Sequence, residues 1–187
     1  MSKRDQILEA SLKLFMENGF EKTPTSAISK AAGVATGTLF HHFKTKEDLI
    51  SALYFEIKME MRNLLMGNLK EGSSLKEQIL SMFAVMIDWA LESQDKFLFL
   101  AQFGESAFIT SSTRERIDEA FGGGLNILGE GVSSGVFHQL PVELLSRQLA
   151  AQLFTSAGYV LDNPDCWQDQ NFRTALLQYF WNSIAKK

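Results

Sequence analysis

One cysteine, Cys166, stands in 187 residues, so no internal disulfide can form. Nothing of metal-ligand type clusters around it in the sequence, so no metal site is expected either. The chain also lacks the uninterrupted apolar run of about 20 residues that a membrane-spanning helix needs. No secretory leader is expected ahead of the first helical pattern, whose charges begin at Lys3. Hydrophobic residues make up 45% and charged residues 21% of the chain, enough for a sizeable core. The expectation is a cytoplasmic protein with no membrane partner. Catalytic signatures are missing as well. The three histidines are His41, His42 and His138, and no HExxH, CxxC, GxSxG or phosphate-binding loop accompanies them. Gly129, Gly131 and Gly135 come nearest to a dinucleotide fingerprint, but their spacing is GxGxxxG, one residue too long, and no strand precedes them. Neither an enzyme nor a cofactor is expected, and that glycine set is read as flexible or closely packed helix.

Net charge is −4, and its distribution is uneven. Residues 1–46 hold seven Lys/Arg against four Asp/Glu, and the remainder holds eleven against eighteen. The head is therefore net positive on an acidic body, which concentrates any attraction for phosphate at one end of the chain.

Within that head, residues 25–46 (TSAISKAAGVATGTLFHHFKTK) contain no carboxylate at all. Thr25 can cap a short helix running through Ile28 and Lys30 to Ala32, and Gly33 can close it in the left-handed conformation. Ala31 is small enough for a second helix to cross nearby. That helix begins near Thr36. At 100° per residue Leu39 and Phe43 share one face, Gly37 and His41 the opposite one, and Thr38, Phe40 and His42 flank them. The apolar face docks, leaving Thr36, Thr38, His41, His42, Lys44 and Lys46 outward. A merely solvated face usually mixes signs, whereas this one is suited to phosphate. The layout is a helix-turn-helix, the arrangement that inserts its second helix into a DNA major groove.

The rest of the chain shows helical periodicity and no convincing strand alternation. A first helix runs from about Lys3 to Asn18, with Ile7, Leu8, Leu12, Phe15 and Met16 at helical spacing, and ends at Gly19. A fourth runs from Lys46 or Glu47 to about Leu65 on Leu49, Leu53, Ile57 and Met61. Ser74-Leu75-Lys76-Glu77 forms a capping-box sequence that opens a fifth helix to about Leu91. A sixth is expected over Asp95–Phe108 and a seventh from near Arg114, kinked or interrupted at Gly122-Gly123-Gly124. The last two cover about Pro141–Leu161, with Pro141 in the first turn, and Asp169–Ile184, separated by Asp162-Asn163-Pro164. The fold class is all-α.

The region of Ile28 to Leu49, with the pieces AISKAAGVATGTLFHHF and KTKEDL, resembles the DNA-binding signature of the TetR/AcrR transcriptional regulators. The resemblance implies an N-terminal three-helix helix-turn-helix domain over 1–46 and a C-terminal helical ligand-binding and dimerisation domain over 47–187. It implies a repressor that occupies a near-palindromic double-stranded operator as a homodimer built through the last two helices and is released by a small molecule. Carried over residue by residue, Thr25 and Lys46 would meet phosphates, the latter through its amide and ammonium. Thr36, Gly37 and Thr38 would lie nearest base edges, and His41 and His42 would meet phosphates or bases. Two positions depart from the pattern. Phe40 stands where tyrosine is common, leaving only ring packing against the sugar-phosphate backbone, and Ala35 stands where a capping serine is frequent, making Thr36 the substitute cap. Met82, Met86 and Trp89 on the fifth helix, with Phe103 and Phe108 on the sixth, are the candidate lining of a pocket for a largely apolar ligand, and Asp88, Gln102 and Glu105 are the nearest polar groups. A transcriptional activator of the same fold and a helical adaptor that never binds DNA are the alternatives.

Overall fold

The computed structural model describes residues 1–70 and 72–186. Among these, nine α-helices follow one another: α1 (Lys3–Asn18), α2 (Thr25–Ala31), α3 (Thr36–His42), α4 (Lys46–Gly67), α5 (Leu75–Glu92), α6 (Gln94–Phe103), α7 (Ser111–Ser133), α8 (Val142–Asp162) and α9 (Gln170–Ile184), with a 3₁₀ turn over Pro164–Gln168. The described residues form no strand, only one isolated bridge between Phe137 and Ala185. None of their helices is long and apolar enough to cross a membrane. The all-α expectation holds.

Two compact units divide the chain, Met1–Met59 with Asp95–Ile117, and Glu60–Gln94 with the chain from Asp118 on. α4 and α7 each contribute residues to both.

In the first unit, Ser2 and Asp5 form a capping box at the start of α1, and Gly19, at φ +79°, ends the helix by donating its amide to the Phe15 carbonyl at 2.9 Å. The periodic residues Ile7, Leu8 and Phe15 are buried, as are Ile28, Leu39, Phe43, Leu49, Ile50 and Leu53. Each such side chain contributes about 1.5–3 kcal/mol through burial. Polar contacts tie the unit further. Arg4 pairs with Glu56 at 2.7 Å, and the buried Ser51 hydroxyl donates to the Phe108 carbonyl at 2.9 Å while accepting the Thr110 amide at 3.2 Å. α6 stops at Phe103, five residues short of the expected Phe108. The Arg114 guanidinium donates to the carbonyls of Gly104 and Ser106 at 2.7 and 2.8 Å, satisfying acceptors that helix continuation would otherwise have used.

In the second unit the Ser74–Glu77 capping box opens α5 as its sequence indicates. α5 lies against α8 and α9, with Phe83 and Phe180 ring centroids 3.8 Å apart. The Trp167 indole donates to Asp88 at 2.6 Å, and Arg173 covers the same ring 4.6 Å from its centroid. α7 passes unbroken through Gly122-Gly123-Gly124, against the expected kink. Leu128 is buried and Phe121 and Leu125 are half-buried on one stripe, so packing overrides the local propensity. Gly131 is close-packed: a methyl added there would overlap the Phe137 ring, which is fully buried. Pro141 caps α8 from outside instead of occupying its first turn.

Candidate nucleic-acid interface and apolar cavity

α2 and α3 are seven residues each, too short to persist without tertiary support. Their junction supplies part of it. Gly33 takes φ +66°, its amide donates to Lys30 and the Val34 amide to Ser29, at 3.2 and 3.0 Å. This is the two-bond closure that a left-handed glycine permits after a helix. Across the turn the Ser29 and Thr36 hydroxyls share a hydrogen bond of 3.1 Å, with Ser29 buried. Ala31, expected to admit a crossing helix, is instead exposed.

Two capping expectations are corrected. Pro24 occupies the cap position of α2 and Ala35 that of α3, and neither helix start receives a side-chain hydrogen bond. Thr25 and Thr36 are the first residues inside their helices, and the Thr36 hydroxyl is turned to Ser29. α4, by contrast, has a capping box that sequence reasoning missed. The Thr45 hydroxyl accepts the Asp48 amide at 3.0 Å, and Asp48 accepts the Thr45 amide at 3.1 Å. The order Thr-Lys-Glu-Asp was its available signal, with Asp replacing the usual Glu or Gln.

The docking geometry of α3 matches its sequence. Leu39 is fully buried and Phe43 nearly so, whereas Thr36, Gly37, Phe40, His41 and His42 are exposed and Thr38 is half-buried. The His41 and His42 rings meet edge to face with centroids 5.5 Å apart, and the Phe40 ring is 43% exposed. The result is an outward surface of hydroxyl, imidazole and bare backbone on a buried apolar anchor.

Lys46 behaves differently from the expectation. Its ammonium donates to the carbonyls of Phe20 and Glu21, the latter at 3.3 Å, and lies 4.4 Å from the Phe20 ring centroid. Burial pushes its pKa below the ordinary lysine value, with Glu47 and Glu21 opposing the shift. Phe20 in turn meets the rings of Phe15, Phe103 and Phe108, with centroids 5.3, 6.4 and 4.3 Å away.

The second unit contains a cavity of about 480 Å³. Leu65, Met82, Phe83, Met86, Phe121 and Leu153 are among its apolar walls, and Asp118, Glu143, Ser146 and Arg147 are its polar lining. Of the five residues expected to line a pocket, Met82 and Met86 line this cavity and the other three do not. Trp89 is buried with its indole directed to Glu60 at 3.4 Å. Phe103 and Phe108 belong to the first unit, packed on Phe20. Only aromatic content links them to the others. Asp88 is held by Trp167 and Arg173, and Gln102 and Glu105 are exposed. The polar lining instead comes from α7 and α8, and Glu143, Ser146 and Arg147 share one α8 face at helical spacing.

Residues 7–53 match the family model described as bacterial regulatory proteins, tetR family. The chain is 30% identical over 148 residues to a fatty acid metabolism regulator protein of Bacillus subtilis, covering 77% of this chain and 75% of that protein. Its fold superposes on the crystal structure of a tetR-family transcription regulator from Shewanella sp. PV-4 with a TM-score of 0.95, at 31% identity and full coverage of both chains. It also superposes on the transcriptional regulator FadR from Bacillus subtilis in complex with stearoyl-CoA, with a TM-score of 0.73 at 24% identity, covering 94% of this chain and 96% of that one. The signature helices, the identity spread along most of the chain and the matching architecture agree: this chain belongs to the TetR family of transcriptional regulators.

Proposed function

We propose that the protein is a dimeric, ligand-responsive repressor of the cytoplasm that binds a near-palindromic operator and leaves it when an apolar small molecule fills the cavity. The observation carrying the DNA reading is the exposed α3 face, free of carboxylates, above the buried anchor of Leu39 and Phe43. Gly37 and Thr38 would approach base edges, with Gly37 allowing close backbone approach, and the Thr36 methyl would remain available because only its hydroxyl is committed. Thr25, Phe40, His41 and His42 would meet the sugar-phosphate backbone or neighbouring bases. The functional division is 1–46 for DNA and 47–187 for ligand and dimerisation.

Dimerisation through α8 and α9 is supported by the apolar side chains they leave open. Tyr159 and Tyr179 are 55% and 68% exposed, and Leu144 is 41% exposed. Two heads about 34–36 Å apart would address successive major-groove faces and explain how seven-residue helices achieve specificity. The apolar walls of the cavity support a ligand with a long hydrocarbon portion, and stearoyl-CoA in the FadR neighbour is an example of that chemistry. Repression requires only that the bound dimer cover a promoter. Tenfold release requires the ligand to favour the DNA-incompetent state by about 1.4 kcal/mol.

The test is selection of duplexes from a random pool by the pure protein, followed by titration of stearoyl-CoA and free fatty acids into the selected complex. A palindromic sequence released by one of these supports the reading. Failure to enrich any sequence would favour a helical adaptor. An operator placed upstream of the promoter, with expression lost on gene deletion, would mark an activator.

A further inference from the structure

We infer that Lys46 serves DNA binding as a positioning residue, its ammonium pinning the Phe20–Glu21 turn to the start of α4, and is not a cation delivered to a phosphate. The inference rests on the proposed DNA reading and changes the role of one residue within it.

Three groups converge on the ammonium: the Phe20 carbonyl, the Glu21 carbonyl and the face of the Phe20 ring. An ammonium has three protons. Two are directed to carbonyls and the charge rests on a ring quadrupole, so most of the ammonium's bonding capacity is committed to the turn and one proton is left over. Lys46 supplies a donor to the Glu21 carbonyl and a second one to the Phe20 carbonyl. Thr23 is the first residue after the turn whose amide returns, to Phe20 at 3.3 Å, and the Thr23 hydroxyl donates to Leu14 and Gly19 at 3.1 and 2.7 Å. Lys46 thus completes a knot joining the end of α1, the turn leading into α2, and α4. Phe20 extends the knot to Phe103 and Phe108. The Thr45–Asp48 capping box fixes the other end of the lever, since it sets the direction in which Lys46 leaves the backbone. Released from Lys46, the α1–α2 turn would lose its tie to α4, and the angle at which α2 and α3 are presented would be held by the buried anchors alone.

The salt dependence of operator binding separates the two roles. Each phosphate neutralised by a side chain contributes ~0.9 to the slope of log K against log salt. If Lys46 neutralises a phosphate, Lys46→Met and Lys46→Gln should both lower that slope by about this amount. If Lys46 only positions the turn, the same variants should weaken binding several-fold at every salt concentration, with a slope change well short of it. Gln retains a donor for the turn and should be the milder of the two. In the free protein, amide exchange at Thr23 should quicken in Lys46→Met, a readout that needs no DNA. Weaker binding at an unchanged slope, with faster exchange, supports the inference. A slope lowered by ~0.9 overturns it, as does unaltered affinity in both variants. If Lys46→Met does not fold, the slope of Lys46→Gln decides. Absence of operator binding by the wild-type protein would instead defeat the DNA reading, and the exchange rate would still report whether the turn is pinned.

Discussion

The two compact units are held together by different means. The first is fastened by individual polar ties, among them Arg4 to Glu56, Ser51 to the Phe108 carbonyl, Lys46 to the α1–α2 turn and Arg114 to the end of α6. The second has polar ties as well, Trp167 and Arg173 to Asp88 among them, but its long helices packed around α5 leave a cavity of about 480 Å³ between largely apolar walls. A unit whose parts are individually tied keeps a fixed outline, which suits recognition of a rigid duplex. A unit with unfilled apolar space can exchange that space for a guest, which suits a ligand-dependent equilibrium.

Removing one large side chain from each unit puts this difference to its severest test. Leu39→Ala deletes a fully buried anchor under α3 and should cost about 2–5 kcal/mol of stability, abolishing operator binding near physiological temperature. Met82→Ala widens an existing cavity and should cost no more than ~2 kcal/mol, the low end for such truncations. Urea unfolding of each variant, followed by fluorescence and by operator binding, checks both. Equal losses would mean that the second unit is as tightly filled as the first.

The same contrast explains what the sequence disclosed. The helix-turn-helix was legible because the conformation of each position rests on neighbours only a few residues away: Gly33 must close α2, and the 100° step separates Leu39 from Gly37 and His41, while Phe43 is buried as the extended residue that ends α3. Capping was less legible. Thr25 and Thr36 have the chemistry of caps, yet Pro24 and Ala35 hold those positions, because the chain's entry angle is set by packing of α2 and α3 on α1 and not by the hydroxyls. The inward turn of Lys46 was invisible, since its partners are carbonyls 26 and 25 residues away. Met82 and Met86 line the cavity, whereas Phe103 and Phe108 were drawn in by aromatic content; Gly104 was the local signal that α6 ends at Phe103, but nothing local shows that Arg114 completes that end.

Glycine gives the next test, within α7 of the second unit. Gly131→Ala should destabilise by about 1–3 kcal/mol, because the added methyl collides with the ring of Phe137, whose backbone N–H donates a hydrogen bond to the Gly131 carbonyl at 2.9 Å. Gly123→Ala meets nothing within 4 Å and should stabilise by roughly 0.5–1 kcal/mol through helix propensity. Thermal unfolding of the two variants should therefore move in opposite directions. Shared destabilisation would show that the run at 122–124 has a packing duty that an added methyl violates, whereas shared stabilisation would show that the Phe137 ring gives way to the methyl at residue 131.

The smallest expected effect asks whether the units differ at all in their helix starts. Asp5 in the first and Glu77 in the second both close capping boxes. Backbone and side-chain bonds from Ser2 hold the Asp5 carboxyl below its ordinary pKa, and side-chain and backbone bonds from Ser74 do the same for Glu77. A carboxyl whose folded pKa is lowered stabilises the fold above its unfolded value and loses that contribution as pH falls through the folded one. Both boxes should therefore be intact at neutral pH and weaken only at the acid end of the carboxylate range. Asp5→Asn and Glu77→Gln should each lower the neutral-pH melting temperature slightly and flatten its fall in acid. Because both carboxyls are exposed and both boxes local, the two flattenings should be alike. A markedly larger one for Asp5→Asn would place the capping of α1 among the ties that hold the first unit, and the difference between the units would then extend to their helix ends.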